Sequence, residues 1–202
     1  SRSWLESVAF FSREAGKNRT LEGTARFQSG TSQWGLRSDA ARALGRHRLQ
    51  AGILVRRLSE DAVSRDFNRA VASYRVTGSY DVGSAQAGAY VQDTWTGLED
   101  HLTVTLGGRV DRFLQNRKTR VEPRASLTWA ISSRTKVMGA AGEYSQFPTF
   151  ENLFGRQGNP ELRAERSRQY VLGVEHGLGN ATRVRLEGYD QEHAGLLYAP
   201  GA

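Results

Sequence analysis

The feature that most constrains this chain is the alternation of apolar and polar residues in runs whose connections are short and long by turns. Between residues 84 and 185 each run is long enough to cross a bilayer as a tilted β-strand, which takes about 9 to 11 residues. Tight turns are expected at residues 96–100, 132–133 and 177–180, a polar loop at 115–119, and a very long loop at 145–165. Short turns on the periplasmic side and long loops outside are typical of outer-membrane β-barrels. The chain is therefore predicted to be all-β, with antiparallel strands in a transmembrane β-barrel.

The two faces of the predicted strands differ in polarity. In the strand after His101, one face carries Leu102, Val104, Leu106 and Val110. The other face carries Thr103, Thr105, Arg109 and Asp111. Trp95 and Trp129 each stand just before a tight turn, where an aromatic girdle would meet the periplasmic interface. A soluble β-sandwich also alternates in this way and is the alternative fold, but it does not explain the asymmetry of the connections.

The N-terminal part of the chain gives weaker strand signals. Strands are predicted at residues 4–11, 19–28, 33–43 and 48–58, with turns at 12–18, 29–32 and 44–47. Residues 59–83 are polar and dotted with aromatics, and we expect them to form an extracellular loop in which a short helix around 61–69 is an option. The whole chain then has about ten strands, and another begins at residues 196–198.

Composition excludes several classes of protein. The mean hydropathy is −0.56 and no apolar run is long enough for a transmembrane helix. There are no cysteines, so neither a disulfide framework nor a thiolate metal site is available. The net charge is +7, but the basic residues are spread over every strand and turn, whereas a nucleic-acid-binding protein clusters them. We therefore expect no nucleic-acid partner, and assign the arginines to a polar lumen or to contact with outer-membrane lipid and lipopolysaccharide.

The sequence carries no recognisable catalytic set. The histidines, at positions 47, 101, 176 and 193, lack the i, i+4 spacing of a zinc motif. No nucleophile elbow or phosphate-binding loop occurs. Ser145 and Glu143 lie near the predicted outer rim, but no histidine accompanies them, which argues against a catalytic triad. We expect no catalytic residue, no bound metal and no cofactor.

The long loop and the strand after it carry a specific motif. Residues 147–167 read FPTFENLFGRQGNPELRAERS. This stretch resembles the loop of TonB-dependent outer-membrane receptors in which an apolar P-x-F-x-x-L segment precedes G-N-P-x-L-x-P-E-x-S, except that Ala164 stands where the family usually has proline. The resemblance extends from about Ala87 to Tyr189. It implies an outer-membrane location in a Gram-negative bacterium.

The resemblance also implies what surrounds the chain. Receptors of this kind have about 22 strands around a plugged lumen. Residues 1–202 would then be part of the barrel domain, with a plug domain before Ser1 and the last strands after Ala202. The full-length protein would be a monomeric receptor that imports a scarce nutrient, such as a ferric siderophore or cobalamin, with energy from the TonB–ExbB–ExbD complex acting through the plug. The rival classes are a passive porin-like channel, a membrane-barrel enzyme and a soluble basic β-domain.

Two groups of residues are candidates for the functional site. Six charged side chains are predicted to face the lumen, where they would hold a plug or line a solute path: Arg109, Asp111, Arg124, Glu175, Arg185 and Glu187. Six residues of the long loop are candidate ligand contacts: Phe147, Phe150, Asn152, Phe154, Arg156 and Gln157. The alternatives are a merely solvated wall and a loop packed on itself over the barrel mouth, and the packed loop is favoured for Phe147 and Leu153.

Overall fold

The computed structural model describes residues 3–20, 23–115, 117–179 and 181–196. The described residues form nine antiparallel strands in a single sheet, and each of the first eight pairs with the next in chain order. They are β1 (Ser3–Arg19), β2 (Ala25–Leu44), β3 (His47–Asn68), β4 (Ser73–Gly97), β5 (Leu102–Phe113), β6 (Lys118–Ala130), β7 (Thr135–Gln146), β8 (Glu165–Gly177) and β9 (Arg183–Ala194). A short helix, α1 (Phe150–Phe154), lies between β7 and β8. In the described part of the chain, no helix has the length and apolar character needed to span a membrane.

The sheet has an apolar outer face and a polar inner face. Residues that lie opposite each other on neighbouring strands have side chains on the same face of the sheet. The pairing of the strands therefore shows which side chains share a face across the whole sheet. The outer face exposes large apolar side chains, among them Ile53, Val91, Leu106, Leu172 and Leu186. The inner face carries Tyr90, Arg109, Glu122 and Arg124 in matching register. A wall that meets lipid on one side and a wet lumen on the other has this distribution, and the predicted fold class is confirmed.

Tight turns connect the strands at one end of the sheet, which we call the periplasmic end. They lie at residues 45–46, 98–101, 131–134 and 178–182, apart from Asn180, which is outside the described residues. These positions confirm the predicted turns at 44–47, 96–100, 132–133 and 177–180. Trp95 and Trp129 lie close to this end, because both are among the last residues of their strands to pair with β5. The opposite end is called the extracellular end below.

The prediction for the first strands was wrong in detail. The segments predicted as turns, residues 12–18 and 29–32, lie inside β1 and β2. The chain passes from β1 to β2 between Arg19 and Ala25 instead, and residues 21 and 22 of this connection are outside the described residues. Gly16 and Ser29 favour turns locally, yet they are direct partners in the β1–β2 ladder. The Ser32 hydroxyl is also hydrogen-bonded to the Ser59 hydroxyl of β3, at 2.7 Å. Pairing along long strands outweighs local turn propensity here. The single strand β2 therefore replaces the two strands predicted at 19–28 and 33–43, and the described residues form nine strands and not ten.

The predicted extracellular loop at residues 59–83 is also wrong, as is the optional helix within it. β3 continues to Asn68, β4 begins at Ser73, and only residues 69–72 form a turn. The two strands have 22 and 25 residues, far more than the roughly 10 that cross a bilayer. Their extracellular halves therefore stand clear of the membrane, where both faces of a strand meet water. This explains why a continuous strand has the polarity of a loop.

The last predicted strand cannot be followed. Leu196 lies outside any strand, and the remaining residues of the predicted start at 196–198 are not among the described residues. The long connection predicted at 145–165 is confirmed, with β7 reaching Gln146 and β8 beginning at Glu165.

Candidate functional site

The connection between β7 and β8, residues 147–164, folds back over the inner face of the sheet. Thr149 caps α1, because its hydroxyl accepts a hydrogen bond from the Asn152 N–H at 3.2 Å. The helix buries Phe150 and Leu153, which is only 1% exposed. Both pack against Phe113, at the extracellular end of β5. We call residues 147–164 the inner loop.

The inner loop is attached to three strands. Its apolar side forms one cluster with Phe113 of β5, and this cluster is packed against Leu58 of β3 and Tyr80 and Val82 of β4, all on the inner face. An ion pair between Arg156 and Asp66 holds the loop to the extracellular end of β3. The loop is therefore docked on the wall at the extracellular end of the barrel and does not project into solvent.

The six predicted ligand contacts of the inner loop fall into two sets. The three phenylalanines join Phe113 in one aromatic cluster, with ring centroids 5.4 Å apart for Phe113–Phe147 and 6.2 Å apart for Phe113–Phe150. Phe150 is buried, while Phe147, Asn152 and Phe154 are half-buried. Arg156 and Gln157 are exposed and are the members of the set with polar groups open to a solute.

The half-buried Tyr80 lies beneath the loop. The Tyr80 hydroxyl donates a hydrogen bond to Glu60 Oε1 at 2.5 Å. Because β4 crosses the bilayer with roughly 10 residues counted from Trp95, Tyr80 lies beyond the membrane-spanning part. Burial and the hydrogen bond to Glu60 raise the pKa of the Tyr80 hydroxyl, so it remains a donor at any physiological pH.

Polar side chains from β3, β4 and β5 form a connected network on the inner face. Arg109 Nη2 donates to Asp111 Oδ1 at 2.8 Å, and Asp111 is only 5% exposed. Gln86 Nε2 donates to the same carboxylate oxygen at 3.4 Å. Arg56 in turn donates to Gln86 Oε1 through Nε at 3.0 Å and Nη2 at 2.7 Å. Arg109 and Asp111 were predicted to face the lumen, and the structure adds Arg56 and Gln86 as their partners.

Glycines make room for this network. The Tyr90 hydroxyl reaches over β3 to donate to Asp39 Oδ1 at 2.8 Å, and it passes above Gly52. A Cβ at position 52 would lie 2.5 Å from Asp39 Oδ1 and would collide with the Tyr90 ring. Gly88 lies in the same way beneath the Arg109–Asp111 pair, because a Cβ at position 88 would lie 3.0 Å from Arg109 Nη2 and would collide with Asp111. Only glycine permits such close approach of side chains over a strand.

Arg124 continues the network onto β6. Its Nη2 donates to Glu122 Oε2 at 3.0 Å, and its guanidinium carbon lies 4.8 Å from the centre of the Tyr144 ring. An open cavity of about 450 Å³ lies on the inner face here, bordered by Tyr90, Arg109, Arg124 and Tyr144. Its rim combines two cations with two phenol rings, which suits an anionic or hydrogen-bonding group.

The other predicted lumen residues form a second group on β8 and β9. Arg185 Nη2 donates to Glu187 Oε1 at 2.5 Å. Glu175 lies 3.9 Å from Arg183 Nη1, although its register partner is Arg185. All three predicted residues share the inner face with Arg109. Among the described residues, no ion pair joins this group to the network on β3–β6.

Comparison with known proteins assigns the fold to a family. The family model for TonB dependent receptor-like β-barrels matches residues 2–200. The chain belongs to this family. Its strands therefore form part of a receptor barrel in the outer membrane. No curated protein has a sequence that matches the chain.

Solved structures share the receptor-barrel fold at low sequence identity. The ferric enterobactin receptor PfeA in complex with BCV-L6 has 16% identity and a TM-score of 0.75 over 95% of this chain and 32% of its own. The copper transporter OprC has 15% identity and a TM-score of 0.69, over 92% and 35%. The FrpB iron transporter from Neisseria meningitidis (F5-1 variant, apoprotein) has 15% identity and a TM-score of 0.68, over 93% and 34%. The chain thus spans about a third of the length of these proteins.

Two further observations concern metal ligands and site residues that were not predicted. Within the described ranges, no three His, Cys, Asp or Glu side chains are placed to hold a metal ion. Three residues of the network, Arg56, Gln86 and Glu122, were not predicted from the sequence as site residues. Their position on the polar face of alternating strands was a usable signal. What the sequence lacked was the pairing of strands, which brings Gln86 to Asp111 and Glu122 opposite Arg109.

Proposed function

We propose that the full-length protein is an outer-membrane transporter that imports a scarce metal-bearing solute, such as a ferric siderophore. The observation that carries this proposal is the inner loop, which is docked on the lumen wall and leaves Arg156 and Gln157 exposed at the extracellular end. A loop fixed in this way forms a defined contact surface for a solute that enters from outside. Exposed guanidinium and amide groups bind anionic chelates through charge-assisted hydrogen bonds.

The inner wall below the loop has polar side chains that could line a path for the solute or hold a plug domain. The network from Arg56 to Arg124 lines the lumen with fixed donors and acceptors. Such a wall can hold a plug through hydrogen bonds that break and re-form when the plug moves. We propose that a plug domain and further strands belong to the full-length protein and that TonB–ExbB–ExbD acts on the plug.

Similar proteins favour a metal-bearing solute over cobalamin. Those named above are a ferric enterobactin receptor, a copper transporter and an iron transporter. At identities near 15% these structures show the fold alone, so the metal-bearing solute is part of the proposal and the uptake experiment must identify it. The proposal assigns no catalytic step to the barrel.

Uptake by cells tests the proposal directly. The full-length gene would be expressed in a Gram-negative strain that lacks its own receptors, and uptake of radiolabelled ferric siderophores and of cobalamin would be measured with and without TonB. We expect siderophore-dependent iron uptake that disappears without TonB. Uptake independent of TonB, together with steady conductance in planar bilayers, would identify a passive channel instead.

A further inference from the structure

The wall of the barrel is split between β6 and β7 at the extracellular end. The two strands pair only where Arg124–Ala130 meets Lys136–Gly142, although β6 begins at Lys118 and β7 reaches Gln146. The flanking ladders, β5–β6 and β7–β8, continue along the full strands. The split therefore lies between two intact ladders inside this chain and does not depend on any strand outside it.

Pro123 explains where the pairing stops. In an antiparallel ladder, successive N–H groups point to opposite sides. The Ala130 N–H bonds to the His101 carbonyl on the β5 side, at 2.7 Å, so N–H groups at odd positions of β6 point toward β7. Proline has no N–H. Pro123 thus removes the next hydrogen bond to β7 and leaves the ladder to β5 intact.

The carboxylate of Glu122 occupies the split. It is almost fully buried, at 6% exposure. Oε1 accepts a hydrogen bond from the Ser145 N–H of β7 at 2.7 Å, and Oε2 accepts one from Arg124 at 3.0 Å. The register places Arg109 directly opposite Glu122, so cations on both sides balance its charge. The carboxylate thus stands where a backbone carbonyl of β6 would otherwise accept from Ser145.

We propose that Glu122 is a positioning residue for the inner loop. By accepting the Ser145 N–H, it fixes the end of β7 apart from β6, and the chain turns inward from there at Phe147. The aromatic cluster and the Arg156–Asp66 pair then dock the loop on β3–β5. The relevance of this role to solute capture rests on the function proposed above. The role of Glu122 in positioning the loop does not depend on that function.

Two measurements on the full-length protein test the role of Glu122. Hydrogen exchange of the peptide that contains Ser145 reports the hydrogen bond, and spin labels at Gln157→Cys and Ser133→Cys report the loop position. Residues 1–202 contain no cysteine, and any cysteine elsewhere in the full-length protein would first be replaced by serine. With Glu122→Ala we expect exchange at Ser145 to be about tenfold or more faster, since a hydrogen bond to a charged group is lost. We also expect a broader distribution of distances between the labels.

Glu122→Gln and Glu143→Ala provide the controls. Glutamine keeps an oxygen that can accept the Ser145 N–H, so Glu122→Gln should resemble the wild type in both measurements. Glu143 lies on the same strand as Ser145 but is paired with Arg168, at 2.8 Å, so its removal should leave the loop unchanged. A native label distance and native exchange in Glu122→Ala, or a broad distribution in Glu122→Gln, would overturn the proposal. Neither measurement uses a solute or TonB, so failed uptake with a fixed loop would count against the transport function alone.

Discussion

The inner face depends on single residues that leave space for their neighbours. Gly52 is the clearest case, because the Tyr90–Asp39 hydrogen bond passes over it. Gly52→Val should separate these partners and destabilise the barrel by about 1–3 kcal/mol, the usual cost of overpacking. The midpoint of denaturant unfolding of the refolded full-length protein would measure this. Gly188→Val is the matched control, because nothing lies within 4 Å of a Cβ at position 188. Equal destabilisation by both variants would refute the steric explanation.

Arg156 is the exposed residue on which the proposed ligand contact mainly depends. Arg156→Gln should weaken binding of a ferric siderophore about tenfold or more, since a charge-assisted hydrogen bond is worth about 1.5–3 kcal/mol. Calorimetry on the purified full-length receptor would measure the affinity. Arg163→Gln alters another exposed arginine of the inner loop and should have no effect. Asp66→Asn removes the partner of Arg156, so an equal loss there would mean that Arg156 acts by docking the loop and not by touching the solute.

At the scale of elements, the inner loop is a separate docked unit. Leu153 is its most buried side chain, and Leu→Ala replacements in cores cost about 2–5 kcal/mol. We expect Leu153→Ala to undock the loop, so that trypsin cleaves after Arg156 and Arg163 faster, while unfolding of the strands is unchanged. Leu178→Ala, in an exposed turn, is the control and should leave the cleavage rate as it is in the wild type. Slow cleavage in Leu153→Ala would show that the loop is held mainly by other contacts.

The elements also show how far the sequence alone reaches. β5 to β9 and their tight turns were predictable, because their outer positions are apolar and their connections short. The extracellular halves of β1 to β4 were not, because both faces of these segments meet water and the alternation is lost there. The same limit applies to the site. The alternation along β5 was enough to place Arg109 and Asp111 on the inner face. The position of Glu122 could not be predicted, because it depends on the β6–β7 pairing, which ends at Arg124 and Gly142.

At the scale of the whole molecule, the inner wall either holds a plug or is merely solvated. Arg109 and Arg124 border the same cavity and are the cations best placed to meet a second surface. If they hold the plug, replacing both by glutamine should loosen it, because about two charge-assisted hydrogen bonds are lost. We then expect larger and less stable conductance of the full-length protein in planar bilayers, with unchanged affinity for the solute. Arg168→Gln, on the outer face and paired with Glu143, is the control. Wild-type conductance in the double variant would show that these arginines are only solvated and that other residues of the barrel hold the plug.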